Sequence, residues 1–177
     1  PHSHNPSSLA STRRVEASRE RIREFFRADP AEYEVIFTLN ASGALKLVGE
    51  RYPFQPGSRF VLTADNHNSV NGIREFASAH GASVEYLALD EELRVANVEA
   101  LLPQADPGLP NLFAYPAQSN FSGVKHPLEW VELARARGYD VLLDAAAFAP
   151  TNRLDLSAVK PDMVSLSFYK MFGFPTG

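Results

Sequence analysis

Cysteine is absent from all 177 residues of this chain. Disulfide bonds, metal sites built on thiolates and a cysteine nucleophile are therefore excluded within these residues. Lysine is also scarce, because the chain contains only Lys46, Lys125, Lys160 and Lys170. The five histidines show no spacing typical of metal ligands, so we expect no metal site.

The sequence also lacks any apolar run close to the roughly 18 residues that a membrane-spanning helix needs. Its first residues have neither the charged nor the apolar region of a secretory signal, so we expect a cytoplasmic protein with no membrane partner. The formal net charge of -4 argues against a nucleic-acid partner. Six arginines occur between residues 13 and 27, but Glu16, Glu20 and Glu24 alternate with them, which is typical of a solvated helix face.

With 45% hydrophobic and 21% charged residues, the composition is that of one ordinary globular domain. Short, nearly continuous apolar runs predict six strands, at residues 35–38, 60–63, 84–87, 111–114, 141–144 and 163–166. Helical patterns occupy most of the intervals, at residues 8–27, 41–49, 69–80, 97–101 and 128–137. This alternation predicts an α/β fold in which helices sandwich a mainly parallel sheet.

Both ends of the chain are unusual for a complete domain. The sequence begins without Met and stops at Gly177, directly beside its most distinctive motif. We therefore expect residues 1–177 to be a fragment that forms one large domain.

Polar residues follow several of the predicted strands, and open parallel sheets bind ligands in the crevice beyond their strand ends. After the first predicted strand, Asn40, Ala41 and Ser42 open a helix whose free N–H groups suit a phosphate. An ordinary helix cap formed by Asn40 or Ser42 explains the same residues equally well. After the second predicted strand, His67 is placed to stack on a flat ring or move protons, or simply to start a helix.

Three more candidates follow later strands. Gln118 and Asn120 carry amides suited to a ring hydroxyl or a substrate carboxylate, although turn formation alone accounts for this stretch too. Asp144 is bounded by apolar residues, so its carboxylate needs a cation or strong hydrogen-bond donors. A protonated heterocycle nitrogen meets that need, and so does an arginine such as Arg153.

Lys170 lies among apolar and aromatic residues just after the last predicted strand. An ammonium held in an apolar pocket loses hydration, which lowers its pKa and frees the neutral amine as a nucleophile. The alternative is a lysine whose stem packs on Phe172 while its ammonium reaches solvent. Together, an anion cradle, a ring stacker, polar ring contacts, a buried carboxylate and an apolar lysine match the needs of pyridoxal phosphate.

These residues resemble the class V aminotransferase-fold group of pyridoxal-phosphate enzymes, which includes the cysteine desulfurases. They look most like the aminotransferase-like part of molybdenum cofactor sulfurases. The resemblance covers essentially the whole chain. It rests on the opening Pro1, His2 and Ser3 and on motifs at residues 37–42, 65–70, 118–120, 144–146 and 167–177, of which the last is the most specific.

The resemblance implies a fold-type I large domain, with a smaller C-terminal domain absent from these residues. It implies that Lys170 holds pyridoxal phosphate as a Schiff base and moves the α proton of the substrate. Asp144 would pair with the ring nitrogen and His67 would stack on the ring face. The remaining implied cofactor contacts are a phosphate site formed by Ala41, Ser42 and Ser167, and ring or substrate contacts by Gln118 and Asn120.

The chain departs from the family pattern at two positions. Cysteine desulfurases usually carry Gln three residues after the ring-binding Asp and His just before the Lys, where this chain has Ala147 and Tyr169. Since Ala147 cannot bond the ring hydroxyl, we expect Gln118 or Asn120 to replace that contact. The family further implies a small amino-acid substrate, a homodimer and, in a full-length protein, C–S cleavage of cysteine with sulfur transfer to an acceptor. Another class V reaction or a non-catalytic ligand-binding domain is the alternative.

Overall fold

The computed structural model describes residues 5–173, apart from the side chain of Phe172. The opening motif at residues 1–3 and the end of the lysine motif at residues 174–177 therefore lie outside the described residues. Five strands form one sheet in which every neighbouring pair is parallel, in the order β2-β1-β3-β4-β5. The strands are β1 (Arg59–Thr63), β2 (Ser83–Leu87), β3 (Leu112–Pro116), β4 (Asp140–Asp144) and β5 (Met163–Ser165).

Seven helices occur in the described part of the chain, and most connect successive strands. They are α1 (Pro6–Phe26), α2 (Ala41–Arg51), α3 (Asn68–Asn71), α4 (Ile73–Ala79), α5 (Val98–Leu101), α6 (Trp130–Ala136) and α7 (Phe168–Phe172). The five predicted helices are all present, although the one predicted at residues 69–80 is divided at Gly72 into α3 and α4. The short helix α7, which carries Lys170, was not predicted.

The centre of the sheet is buried on both faces, because side chains of β1, β3 and β4 alternate between two apolar clusters. On β1, Val61 packs with α5, α6 and the end of α1, whereas Phe60 and Leu62 pack with α2, α3 and α4. All three side chains are fully buried. The predicted α/β fold with helices on both faces of a parallel sheet is therefore confirmed.

The prediction of a strand at residues 35–38 is wrong. This segment carries no strand assignment, and its Ile36 and Phe37 side chains are 65% and 44% exposed. A strand needs a hydrogen-bonded neighbour, and within residues 5–173 no ladder joins this segment to the sheet. The segment instead borders an apolar groove whose other wall includes Met163 and Val164 of β5.

Helix α1 is attached to the domain through its C-terminal half, where Arg19 and Arg23 also approach Glu34 at 3.8 Å. Of the predicted apolar stripe, Phe26 is buried and Ile22 packs against the same cluster, whereas Leu9 and Val15 are both 39% exposed. Asn5 caps the helix by accepting a hydrogen bond from the Ser8 N–H at 2.8 Å.

Among residues 5–173, no helix is both long enough and apolar enough to cross a membrane.

The position of α2 depends on a close contact with α4. A Cβ atom added to Gly49 of α2 would lie 2.6 Å from a ring carbon of Phe76, so only glycine allows the two helices to approach this closely. The opposite end of α2 begins at Ala41, beside the carboxyl ends of the strands. Helix packing at Gly49 thus positions the residues that open α2.

Candidate active site

A cavity of about 230 Å³ lies beyond the carboxyl ends of the strands. Every candidate site residue from the sequence contributes to its wall: Ala41, Ser42, His67, Gln118, Asn120, Asp144, Ser167 and Lys170. These residues come from segments up to 129 positions apart, since Ala41 and Lys170 are the outermost of them. The parallel sheet brings them together because all of its strands end on the same side.

The first wall of the cavity is the N-terminal end of α2. Asn40 caps this helix, and its Oδ1 accepts a hydrogen bond from the Gly43 N–H at 2.8 Å. The N–H groups of Ala41 and Ser42 precede the first intrahelical hydrogen bonds, so they remain available to an anion. The capping role of Asn40 and an anion site at the next two residues therefore coexist.

His67 both starts a helix and faces the cavity. It is the N-cap of α3, and its Nδ1 accepts a hydrogen bond from the Ser69 N–H at 3.2 Å. The Ser69 hydroxyl lies 3.0 Å from the same Nδ1 and 2.6 Å from the Ser42 hydroxyl. Because Nδ1 is an acceptor, the proton of the neutral ring is on Nε2. Ser69 thus connects His67 to the anion end of the cavity.

Asp144, the last residue of β4, supplies a buried carboxyl group to the cavity. Only 7% of the residue is exposed, and burial raises its pKa. A hydrogen bond from the Ala146 N–H at 3.0 Å and the electrostatic influence of the nearby His67 and Lys170 oppose that shift without cancelling it. Arg153 is exposed and makes no ion pair with Asp144 in the described part of the chain, so the alternative in which Arg153 pairs with Asp144 is wrong.

Lys170 lies on α7, and its Nζ donates a hydrogen bond to Oδ1 of Asn120 at 3.2 Å. The Oε1 of Gln118 accepts a longer hydrogen bond from Asn152 at 3.3 Å. Both amide oxygens are therefore engaged, whereas Nδ2 of Asn120 and Nε2 of Gln118 make no hydrogen bond among residues 5–173. The alternative in which the stem of Lys170 packs on Phe172 involves a side chain that lies outside the described part of the structure.

The Ser167 hydroxyl is a buried polar group that lacks a partner. The residue is 2% exposed, and within the described residues its Oγ makes no hydrogen bond. A buried hydroxyl without a partner is unfavourable unless a ligand or water supplies one. Because Ser167 lines the cavity, a bound ligand would satisfy it.

Two polar cavity residues, Ser69 and Tyr169, were assigned no binding role from the sequence. Ser69 occurs two positions after His67, inside the motif at residues 65–70 and at a predicted helix start, but neither feature assigned it a role. Tyr169 was noted only as a departure from the family pattern, and its side chain lines the cavity while 48% exposed. Within residues 5–173, no group of three or more His, Asp or Glu side chains is arranged to hold a metal ion.

Comparisons with known proteins agree with this geometry. A molybdenum cofactor sulfurase from Danio rerio is 41% identical over 194 residues, covering 100% of this chain and 23% of that protein. The molybdenum cofactor sulfurase from Homo sapiens is 41% identical over 192 residues, covering 100% of this chain and 22% of that protein. The chain thus spans less than a quarter of the length of these relatives.

The solved structures support the same relationship. The apo structure of a cysteine desulfurase from Thermococcus onnurineus NA1 superposes with a TM-score of 0.85 at 27% identity, covering 99% of this chain and 44% of that chain. The family model for aminotransferase class V matches residues 2–177. The chain therefore belongs to the aminotransferase class V family.

Proposed function

We propose that this chain is the pyridoxal-phosphate-binding part of an enzyme that activates an amino acid. In the full-length protein we propose C–S cleavage of cysteine and transfer of the sulfur to an acceptor. The observation that carries the proposal is that Lys170 and the buried, unpaired carboxyl of Asp144 line one cavity. A Schiff-base lysine and an acidic partner for the ring nitrogen are the two side chains that this cofactor requires.

The phosphate group would bind at the start of α2. The free N–H groups of Ala41 and Ser42 and the positive end of the helix dipole favour an anion there. The Ser167 hydroxyl, which has no partner among the described residues, is a further donor on the cavity wall. The hydroxyls of Ser42 and Ser69 already bond each other and are placed to extend this set.

The ring would lie between His67 and the strand ends, with its nitrogen toward Asp144. A protonated ring nitrogen would give Asp144 the cation that the protein itself does not provide, which would lower the pKa of this carboxyl again. His67 would stack on the ring, and the hydrogen bond of its Nδ1 to Ser69 would hold the imidazole in place. Asp144 would in turn keep the ring nitrogen protonated.

The ring hydroxyl needs a donor that Ala147 does not supply. Nε2 of Gln118 and Nδ2 of Asn120 are both without a partner in residues 5–173, because the oxygens of these amides are already engaged. We assign the hydroxyl contact to these two amides. This assignment accounts for how the chain dispenses with the glutamine that cysteine desulfurases usually carry at the position of Ala147.

Pyridoxal phosphate supplies an electron sink for the α-carbon of a bound amino acid. Lys170 would anchor the cofactor and, as a neutral amine, accept the proton from that α-carbon at Nζ. Asn120 orients the amine by accepting its hydrogen bond at 3.2 Å. The chain itself therefore supplies the anchor, the base and the group that aims the base.

The sulfur chemistry is inferred from the relatives, which are molybdenum cofactor sulfurases and cysteine desulfurases. Because these 177 residues contain no cysteine, a thiol that receives sulfur from the substrate must come from outside them. We further propose a cytoplasmic homodimer, since enzymes of this group commonly form active sites from two subunits. The substrate class is a small amino acid, with cysteine as the specific substrate.

Adding pyridoxal phosphate to the cofactor-free full-length protein tests the proposal. We expect the visible absorption band of lysine-bound cofactor, and we expect Lys170→Ala to abolish it. Lys46→Ala is a matched control, because Lys46 is 68% exposed and its ion pair with Glu50 is a surface interaction. The absence of any band in the unaltered protein would contradict the proposal and favour a non-catalytic ligand-binding domain.

Product analysis separates the reaction types. With cysteine as substrate and a thiol reductant in excess, we expect alanine and sulfide in equal amounts. Formation of a 2-oxo acid, or racemisation of the amino acid without loss of sulfur, would instead identify another class V reaction.

A further inference from the structure

Two loops carry the ring-side residues of the cavity, and they meet behind it. The loop after β1 contains Asp65 and His67, and the loop after β3 runs from Ala117 to His126 and contains Gln118 and Asn120. The second loop folds back on itself, since the His126 N–H donates to the Ala117 carbonyl at 3.1 Å and the Ser119 N–H to the Val124 carbonyl at 2.8 Å. The relative position of the two loops therefore decides how far His67 lies from Asn120.

A buried Asp–His hydrogen bond joins these loops. Nε2 of His126 lies 2.8 Å from Oδ2 of Asp65, with side-chain exposures of 2% and 0%. Burial disfavours the Asp65 carboxylate, but hydrogen bonding, foremost from His126, outweighs burial and lowers the pKa of Asp65. The imidazole is also held by stacking on Trp130, with ring centroids 4.9 Å apart. Both partners are thus restrained in position.

Ser119 adds a second connection between the same loops. Its hydroxyl donates to the Asp65 carbonyl at 3.4 Å, and its Oγ accepts hydrogen bonds from the N–H groups of Phe121 and Ser122, both at 3.3 Å. Asn120, which accepts the hydrogen bond of Lys170, lies inside the turn that these bonds close. Ser119 therefore restrains the backbone on both sides of Asn120.

We propose that Asp65, His126 and Ser119 form a loop clamp that sets the spacing of His67 from Gln118 and Asn120 and so positions the cofactor ring. This inference rests on the proposed function. None of the three residues lines the cavity, so they act through the residues that do, as positioning residues. The clamp acts mainly on the ring side, because Ala41 and Ser42 at the phosphate end belong to α2, which packs against α4. The Ser69 hydroxyl contacts Ser42 at 2.6 Å, but Ser69 is held in helix α3 rather than by the three clamp residues.

Paired affinity measurements on the full-length protein test the clamp. The variants are Asp65→Asn, His126→Gln and their combination, and each is titrated with pyridoxal phosphate in cofactor-free form. Inorganic phosphate is then measured as a competitor of that binding. The control is Asp155→Asn, which removes a carboxylate from the ion pair with Arg27 away from the cavity.

We expect each single variant to bind pyridoxal phosphate about tenfold more weakly, since small displacements of positioning groups have effects of this size or larger. The inhibition constant for inorganic phosphate should stay unchanged. The double variant should bind pyridoxal phosphate no more weakly than the single variant with the larger loss of affinity. A merely structural role would instead lower both affinities together or neither. Either of those two results would overturn the clamp.

Ser119→Ala provides a second route if the charge variants do not fold. This variant leaves the buried hydrogen bond between Asp65 and His126 intact, so we expect it to fold. We also expect it to bind pyridoxal phosphate several-fold more weakly, again with an unchanged inhibition constant for inorganic phosphate. Unchanged cofactor affinity in folded Ser119→Ala would overturn the clamp alone. If the unaltered protein takes up no pyridoxal phosphate, the proposed function fails as well.

Discussion

Replacing Asp144 with asparagine should stabilise the cofactor-free protein against unfolding and weaken cofactor binding. The two side chains have the same shape, and the asparagine oxygen can still accept the hydrogen bond that the Ala146 N–H donates at 3.0 Å. The substitution therefore removes the charge and little else. In the cofactor-free fold that charge is buried without an ion-pair partner in the described residues, which is why the pKa of Asp144 is raised.

The substitution should have opposite effects on the stability of the cofactor-free protein and on its affinity for the cofactor. Removing an unpaired buried charge should raise the free energy of unfolding of the cofactor-free protein by about 1 kcal/mol, the low end for such groups because the new amide N–H₂ is buried as well. This corresponds to a rise of about 2–4 °C in the unfolding midpoint of a domain of this size. A charge-assisted hydrogen bond to the ring nitrogen contributes about 1.5–3 kcal/mol, so cofactor binding should weaken about 10- to 100-fold.

The pH dependence gives an independent check of the sign. A raised pKa means that the folded protein holds this proton more tightly than the unfolded chain, whose Asp titrates near 3.8. The unfolding free energy of the unaltered cofactor-free protein therefore falls as the pH rises from that value through the raised pKa. The gain in unfolding free energy of Asp144→Asn over the unaltered protein should be absent at the acid end of this range and reach its full size at neutral pH.

Thermal unfolding of both cofactor-free proteins at several pH values measures this difference, and absorption titrations give cofactor affinity. Turnover should be largely lost in Asp144→Asn, although some cofactor remains bound. Asp155→Asn is the matched control, because Asp155 is a surface carboxylate and its loss should not stabilise the fold. A destabilised cofactor-free Asp144→Asn protein, or one with full cofactor affinity and activity, would refute the reasoning.

Two further substitutions probe the anion end of the cavity and the fold. Ser167→Ala removes the hydroxyl that has no partner among the described residues, so it should weaken binding of pyridoxal phosphate about threefold to tenfold. Binding of pyridoxal, which lacks the phosphate, should not change. Equal losses of affinity for both ligands in absorption titrations would argue against a phosphate contact. Tyr52→Phe removes hydrogen bonds to the Asn111 carbonyl at 2.7 Å and to Asp140 at 2.9 Å, so it should lower the unfolding free energy by about 1–2 kcal/mol without changing cofactor affinity. Calorimetry should detect this loss, and an unchanged unfolding midpoint would contradict the importance of this hydroxyl, whose pKa is raised by burial and by the charge of Asp140.

The sheet could be predicted because its central strands β1, β3 and β4 are buried on both faces and read as nearly continuous apolar runs. The same rule failed at residues 35–38, where Val35, Ile36 and Phe37 have the composition of a strand but no neighbour to pair with in the described sheet. Composition reports the tendency of a segment, whereas a strand depends on a partner elsewhere in the chain. Helix α7 was missed because its sequence, Phe-Tyr-Lys-Met-Phe, is apolar or aromatic at all positions but one and therefore shows no helical period.

The cavity could be predicted because parallel strands end on one side, so polar residues after each strand converge whatever their spacing in the sequence. The groups behind the cavity could not be found in this way. Asp65 and His126 are 61 residues apart. Asp65 opens the motif at residues 65–70, but nothing in that motif identifies His126 as its partner. Their pairing depends on two loop conformations that no local pattern determines. Ser69 was likewise hidden, because a serine at a helix start is expected for capping alone.

The outer edge of β5 has a consequence for how the chain behaves in solution. This three-residue strand is hydrogen-bonded to β4 on one side, and no other strand among residues 5–173 pairs with it. Its outer edge lies beside a groove where apolar side chains such as Phe37 are partly exposed. A sheet edge that no strand covers is a template for strand addition. We therefore expect β5 to be one of two edges of the described sheet, with β2, at which copies of the isolated chain associate, and a covering strand at β5 would suppress association there.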